Sequence, residues 1–426
     1  MTRMLILSFS PIRGDARVLK QVEEFARDHD VVTCGYGPAP DGVAEHIRIP
    51  DEARVDARHP KLVLLRWYRA LYSSLPGVAE VRMLLRGRSF DVVLANDVES
   101  VGVANELGAR FGVHADLHEY SPRLHEEHRN WMRYISPFYA WMCRRHVSRA
   151  SSWSTVSSGL AAEYEREFGF RPMVVTNATP FRRAVPSEAA SPLRLVHSGA
   201  GLRNRQLELT VEAACEVPSV TLDLFLTPND PAYVQELRTL ASQSAGRVRV
   251  HDPVPYAELV DRLADYDVGI FVLPPINSSY RWALPNKLFD FIQARLAVVV
   301  GPSPEMASYV WDYGLGEVTE GFGVADIVRT LRGLTVDSVN RYKQASHVHA
   351  EPLSAQSQVK IWRDAIPRLE ELDQFGTLQS GGEGCAHRPI QGEGESKVTR
   401  EQASGTCESA SQRRCDVELR GGGGGI

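Results

Sequence analysis

Strands and helices alternate along this chain of 426 residues, and the alternation stops once and then restarts. MLILSFS is an apolar run fit for a buried strand, and ARVLKQVEEFARDH follows with Val18, Leu19, Val22 and Phe25 at helical spacing. DVVTCGYG, FDVVLAND, VHADLHEYS, SSWSTVSS and PMVVTNAT read as further strands, with SVGVANELGARFG and GLAAEYEREFG as helices between them. Residues 181–192, FRRAVPSEAASP, are polar and rich in Pro and Ala, and read as a linker. The pattern then resumes through LRLVHSG, SVTLDLFLT, VRVHDPV, DVGIFVLP and AVVVGPS, again with helices between strands. Such alternation requires a mostly parallel sheet covered by helices on both faces. Two runs of it predict an α/β chain of two domains in series, and open α/β sheets bind ligands at their strand carboxyl ends.

Composition narrows the class. Hydrophobic residues make up 43% and charged residues 24%, ordinary values for a globular protein. No apolar run approaches the ~18–20 residues that span a bilayer. The first apolar run is too short for a signal-peptide core and reads as the first strand, so a cytoplasmic location is expected. The six cysteines have neither CxxC nor zinc-ligand spacing, so neither a disulfide framework nor a metal site is expected. Residues 1–186 carry 25 Lys and Arg against 22 Asp and Glu, whereas the remainder is acidic. The two halves therefore suit different partners.

One stretch is electrostatically odd. In ALPNKLFDFIQARLAVVV, residues 283–300, Pro285 suits a first helical position, and Lys287 falls in the first turn with Asp290 close behind. A cation there opposes the helix dipole, so an anion is expected to offset it. Free amides of Asn286, Lys287 and Leu288 at the helix start could bind phosphate, and Asp290 could accept hydrogen bonds from ribose hydroxyls. An i,i+3 ion pair is the plainer alternative. In LVHSGAGLRNRQ, Gly199 allows close backbone approach to a ligand, and Arg203 and Arg205 could clamp a diphosphate. An ordinary turn with solvated arginines is the alternative. In SPIRGDARVL, Gly14 could meet a bound group at the cleft mouth, while Asp15 either does the same or caps the helix. His118 and Glu119 fall at a strand end in ADLHEYSP. Asp265-x-Asp267 mimics a metal-binding DxD but sits at a helix-to-strand junction, where a turn is expected.

The segment PNKLFDFIQARLAVVVGPSPEM resembles the donor-binding segment of bacterial glycosyltransferases of the GT-B fold, close to family 4 (glycosyl transferases group 1). TVSSGLAAEYEREFG with VVTNATPF, the strand-end HSG, and DVGIFVLPP share the resemblance, which covers about residues 1–370. It implies two Rossmann-like domains facing an interdomain cleft: residues 1–185 for the acceptor and 186–350 for the nucleotide-sugar donor. A C-terminal helix is expected at 351–375 and a disordered, low-complexity tail at 376–426. The resemblance further implies transfer with retention of configuration and with neither a cofactor nor a metal. Asp290 matches the ribose carboxylate, Lys287 and Arg205 match basic diphosphate contacts, and Gly14 matches the small-residue loop beside the diphosphate. His118 matches a strand-end histidine near the transferred sugar, with Glu119 beside it. Catalysis then falls to His118, Lys287 and Arg205. Asn286, Leu288 and Gly199 complete the donor set. Trp282 stands where the family commonly has the first carboxylate of Glu-x7-Glu, and an indole cannot accept sugar hydroxyls.

Two stretches of the first half, residues 58–88 and 129–149, mix arginine with Trp, Tyr and Phe. Helices of this kind either pack their apolar faces on the sheet or lie at an anionic membrane surface. The expected function is hexosyl transfer from a nucleotide sugar to a glycan or lipid-linked acceptor in cell-envelope polysaccharide or glycolipid synthesis, with possible contact at the inner face of the plasma membrane. No nucleic-acid partner is expected. The alternatives are a non-catalytic nucleotide-binding or scaffold protein of the same fold, which Trp282 favours, and a sugar-nucleotide epimerase.

Overall fold

The computed structural model describes residues 2–366. The expected tail, with its three cysteines, and residues 367–375 of the expected last helix lie outside the described residues. Two all-parallel sheets follow one another. The first has seven strands: β1 (Arg3–Pro11), β2 (Asp30–Tyr36), β3 (Glu45–Arg48), β4 (Val92–Asn96), β5 (Val113–Leu117), β6 (Ser152–Thr155) and β7 (Met173–Val174), in the order 3-2-1-4-5-6-7. The second has six: β8 (Leu193–Ala200), β9 (Val220–Thr227), β10 (Val248–His251), β11 (Val268–Phe271), β12 (Ala297–Val300) and β13 (Gly316–Val318), in the order 10-9-8-11-12-13. In both sheets the order reverses beside the first strand, which is where open α/β sheets leave a crevice for ligands.

The strands are apolar on both faces because helices cover both. Leu5 and Leu7 of β1 point into one core with Val93 and Ala115, while Met4 and Ile6 point into another. That second core is completed from far along the chain. Residues 355–366 are helical, and their Val359, Trp362 and Ile366 pack against Met4, Ile6, Val18 and Val22. The Trp362 ring is buried and its Nε1 donates to Ser154 Oγ at 3.0 Å. Truncating a buried tryptophan costs about 3–5 kcal/mol, so this helix fastens the chain that follows the second sheet back onto the first sheet. Residues 175–192 contain no helix or strand and carry the chain between the sheets.

The two sheets meet at one edge of the cleft. Glu305 accepts from the amides of Ser158 (3.2 Å) and Gly159 (2.5 Å), the first turn of the helix Ser158–Phe168. A carboxylate there satisfies orphan donors and faces the positive helix end. Trp282 lies over Gly159 so closely that a Cβ at 159 would meet the indole at 2.0 Å. Nearby, Glu126 accepts from Ser278, and Ser279 hydrogen-bonds Glu119.

Of the two basic aromatic stretches, residues 129–149 follow the packing alternative: Phe138, Tyr139, Met142 and Cys143 are buried, and Trp131 stacks on Tyr139. The stretch 58–88 packs only in part, because Leu64, Leu65 and Trp67 remain exposed. No helix among the described residues is long and apolar enough to cross a membrane.

Candidate functional site

The helix Asn286–Gln293 begins one residue later than the sequence suggests. Pro285 is its N-cap, with φ −78° and ψ 154°, rather than its first helical residue. Leu288 is also corrected: its amide donates to the Pro285 carbonyl at 3.1 Å and its side chain is buried among Phe271 and Leu284. It is therefore a core residue with no group free for a ligand. The amides of Asn286 and Lys287 have no acceptor among the described residues.

Lys287 is 8% exposed. Its Nζ sits 3.4 Å from His197 Nε2 and 3.8 Å from the centre of the Phe271 ring. No carboxylate among the described residues forms an ion pair with it. Burial, and then the Arg205 guanidinium, push its pKa well below the ordinary lysine value. His197 gives its Nδ1 proton to the Ile270 carbonyl (3.0 Å), which leaves Nε2 as an acceptor for the lysine, and burial holds the ring neutral. Gly199 lies directly beside both cations. A Cβ there would meet Lys287 Nζ at 3.0 Å and an Arg205 Nη at 3.4 Å, and its φ of 127° disfavours any side chain. Among the described residues the Arg205 guanidinium makes one hydrogen bond, to the Ala200 carbonyl at 3.5 Å. Two cations and a bare glycine backbone thus converge with no anion between them among the described residues. The plainer ion-pair reading of Lys287 with Asp290 is not realised.

Arg203 is not part of this cluster. It makes a bidentate pair with Glu236 at 2.7 and 2.8 Å, on the surface.

Asp290 is 3% exposed. One carboxylate oxygen accepts from Thr179 Oγ1 at 2.5 Å, so only the other remains for a ribose. Burial pushes its pKa up to about 6, against the pull of Thr179, Lys287 and Lys20. Lys20 comes from the first domain. Burial pushes it down to about 8, and its Nζ donates to the Ala178 carbonyl.

Across the sheet edges a cleft of about 450 Å³ is lined by Gly14, Asp15, Arg17, Lys20, His118, Glu119, Asn177 and Asn286. It brings four of the expected residues together: Gly14, His118, Glu119 and Asn286. Gly14 has open space around it, as a loop facing a ligand requires. Asp15 caps the first helix through Arg17 N (3.1 Å) and Val18 N (3.2 Å), so the capping alternative holds. Lys287, Arg205 and Gly199 form the second group, joined to the first through Asn286.

His118 follows β5 and is held between two carboxylates. Its Nε2 lies 3.2 Å from Asp116 Oδ2 and its Nδ1 3.5 Å from Asp97 Oδ2. Asp97 also accepts the His118 amide at 3.3 Å, from a left-handed backbone with φ 64°. Burial opposes charging the ring, but Asp97 and Asp116 outweigh it and hold the His118 pKa above its ordinary value. Glu119 is raised by burial, with Ser279 pulling the other way. Asp267 is consumed by Arg194 (2.9 Å) and Lys343 (3.4 Å), which leaves the DxD mimic a structural junction.

Sequence reasoning missed His197, Thr179, Lys20 and Asp97. His197 and Thr179 lie inside quoted segments, HSG and VVTNATPF, but a single His or Thr carries no spacing signal. Lys20 is one turn after Arg17, on the face that meets the cleft.

No family model matches the sequence, and no curated protein is a significant match. Solved structures do match. Sucrose-phosphate synthase from Thermosynechococcus elongatus aligns with a TM-score of 0.63 at 12% identity, over 86% of this chain and 100% of that one. Anabaena Alr3699/HepE in complex with UDP gives 0.63 at 14% identity, over 86% and 100%. WaaG, a glycosyltransferase of lipopolysaccharide biosynthesis, gives 0.56 at 13% identity, over 85% and 99%. The chain has the GT-B glycosyltransferase fold. His118, after the first sheet's β5, and Asn286, at the start of a helix after the second sheet's β11, both line the cleft.

Proposed function

We propose that the protein is a retaining glycosyltransferase that takes a nucleotide sugar as donor. The single observation carrying this is the pair Lys287 and Arg205 converging on Gly199 with no counter-anion among the described residues. A buried cation without a partner costs several kcal/mol, and a nucleoside diphosphate supplies the missing charge. Asp290 offers its free oxygen to the ribose, and His118 and Glu119 face the sugar from the first domain. In the reaction the bond from anomeric carbon to phosphate oxygen breaks, a bond from that carbon to the acceptor oxygen forms, and the acceptor proton passes to the departing diphosphate. Lys287 and Arg205 stabilise the charge that develops on the diphosphate. With both ring nitrogens facing carboxylates, His118 acts as an oriented cation beside the sugar rather than as a base. The structural neighbour HepE binds UDP and UDP-glucose, which supports a nucleotide-sugar donor and a hexosyl group. The acceptor is a glycan or lipid-linked saccharide of cell-envelope polysaccharide or glycolipid synthesis, in the cytoplasm, and the reaction needs neither cofactor nor metal.

One observation favours a second reading. Trp282 occupies the position of the usual first sugar carboxylate and is committed to Gly159, which fits a nucleotide-binding protein without turnover. Release of nucleoside diphosphate from a panel of nucleotide sugars, with and without membrane extract as acceptor, separates the two. Turnover that falls in Lys287→Ala and His118→Ala supports transfer. Tight binding with no turnover of any donor supports the second reading.

A further inference from the structure

We propose that the turn at residues 64–67 is a docking tip for lipid bilayers with anionic headgroups. It deepens the lipid-linked-acceptor reading but stands on a surface separate from the donor site.

Leu64, Leu65 and Trp67 are 67%, 54% and 61% exposed. Other large exposed apolar residues, such as Val185 and Trp311, are far apart in sequence and need no explanation. Here three of four consecutive residues are apolar and exposed, and the fourth is Arg66, also exposed. The turn projects because the helix Pro60–Leu64 ends in a two-bond reversal: Trp67 N donates to Leu62 O (3.0 Å) and Arg66 N to Val63 O (3.1 Å). That motif wants glycine in its left-handed position, yet Arg66 occupies it with φ 54°.

The base of the tip is firm. Tyr68 packs on Phe138 and Trp141 at 5.8 and 6.1 Å between ring centres, and Leu71 and Tyr72 are buried below. Little ordering entropy is therefore lost on docking.

Charge selects the occupant. Residues 57–79 contain no Asp or Glu and carry Arg58, Lys61, Arg66 and Arg69. Lys61, Arg66 and Arg69 are exposed around the apolar tip. Leucine and tryptophan ringed by arginine and lysine match an acyl boundary beneath anionic headgroups. A tip of this size presents far less than the ~800 Å² per side of a stable protein interface.

The test is co-sedimentation of the full chain with phosphatidylcholine vesicles, with and without phosphatidylglycerol. Binding is expected only with phosphatidylglycerol, and it weakens with salt. Arg66→Gln with Arg69→Gln lowers it roughly thirtyfold. Changing Leu64, Leu65 and Trp67 together to Ser reduces it to the level on phosphatidylcholine alone. Trp67→Phe keeps binding but loses fluorescence quenching by brominated acyl chains, a readout that reports insertion. Nucleotide titration is unchanged in all of these variants, so failure here is distinguishable from failure of the donor site. Equal binding by the triple variant, or no preference for the anionic lipid, overturns the proposal. So does a dimer that the triple variant converts to monomer without any vesicle binding, which would make the tip an interface between copies.

Discussion

Arg17 and Lys287 are both buried cations near the same cleft, and they are treated in opposite ways. Arg17 makes two 2.7 Å bonds to Asp116, a third at 2.7 Å to the Val175 carbonyl and a fourth to Asn177, with the Trp362 ring 4.9 Å away. Asp116 is further satisfied by Gln21, Ser154 and His118. Every charge in that network has a partner inside the fold, so its role is to hold the first domain, the connecting segment and the last helix together. Among the described residues Lys287 has only an imidazole nitrogen and a ring face. The difference teaches where to look for function: a buried charge the fold has satisfied builds structure, and one it has left unsatisfied awaits a ligand.

The largest effect should come from breaking the satisfied side. Asp116→Ala leaves Arg17 buried and unpaired, and should cost about 3–5 kcal/mol in urea unfolding. Lys287→Met should leave stability unchanged or higher, because the folded protein loses an uncompensated charge. A stability loss equal to that of Asp116→Ala would erase the distinction.

Asp290 sharpens the contrast through pH. Its pKa is raised from an ordinary 3.8 to about 6 on folding, so burial of its charge opposes folding above pH 6 and does nothing below about pH 4. Asp290→Asn should therefore raise unfolding stability at pH 8 by up to about 3 kcal/mol and leave it unchanged near pH 4. The same variant should bind nucleotide more weakly. A stability gain independent of pH would argue against a buried charge there.

Next in size is ligand affinity. Losing one charged hydrogen bond to a diphosphate costs about 1.5–3 kcal/mol, so Lys287→Met should weaken nucleoside diphosphate binding roughly ten- to a hundredfold by calorimetry. Because the free lysine has a depressed pKa and a bound diphosphate restores its charge, wild-type affinity should fall as pH rises through that interval. The pH slope should shrink in Lys287→Met.

The smallest effect belongs to the domain contact. Glu305→Gln retains acceptor geometry but loses the charge facing the helix start, and should cost about 1 kcal/mol. A change in nucleotide affinity with no change in stability would move Glu305 into the donor site.

Much of the fold was legible because parallel strands buried on both faces leave long apolar runs, as Met4–Leu7 and Val298–Val300 do. The edge strands β3 and β13 were not, because EHIR and GEV mix charged residues with a single apolar one and form no apolar run. In the site, Lys287 was legible because a cation in a first helical turn contradicts the dipole. Leu288 was misjudged because sequence cannot say which first-turn amide the carbonyl of the N-cap, Pro285, will take. Arg203 and Arg205 look alike two residues apart, and only the position of Glu236 on another helix separates them. Asp97 and His197 work through contacts made across strands, which no local spacing records.

The central claim is that Gly199, Arg205 and Lys287 hold a nucleoside diphosphate. The most direct test is calorimetric titration of UDP, GDP and dTDP into wild type and Lys287→Met, with thermal melts of the same samples. The account predicts selective binding of one nucleotide, at least tenfold weaker in the variant, with a melting temperature no lower than that of wild type. Equal affinity in both proteins, or a variant that binds weakly only because it is partly unfolded, would contradict it.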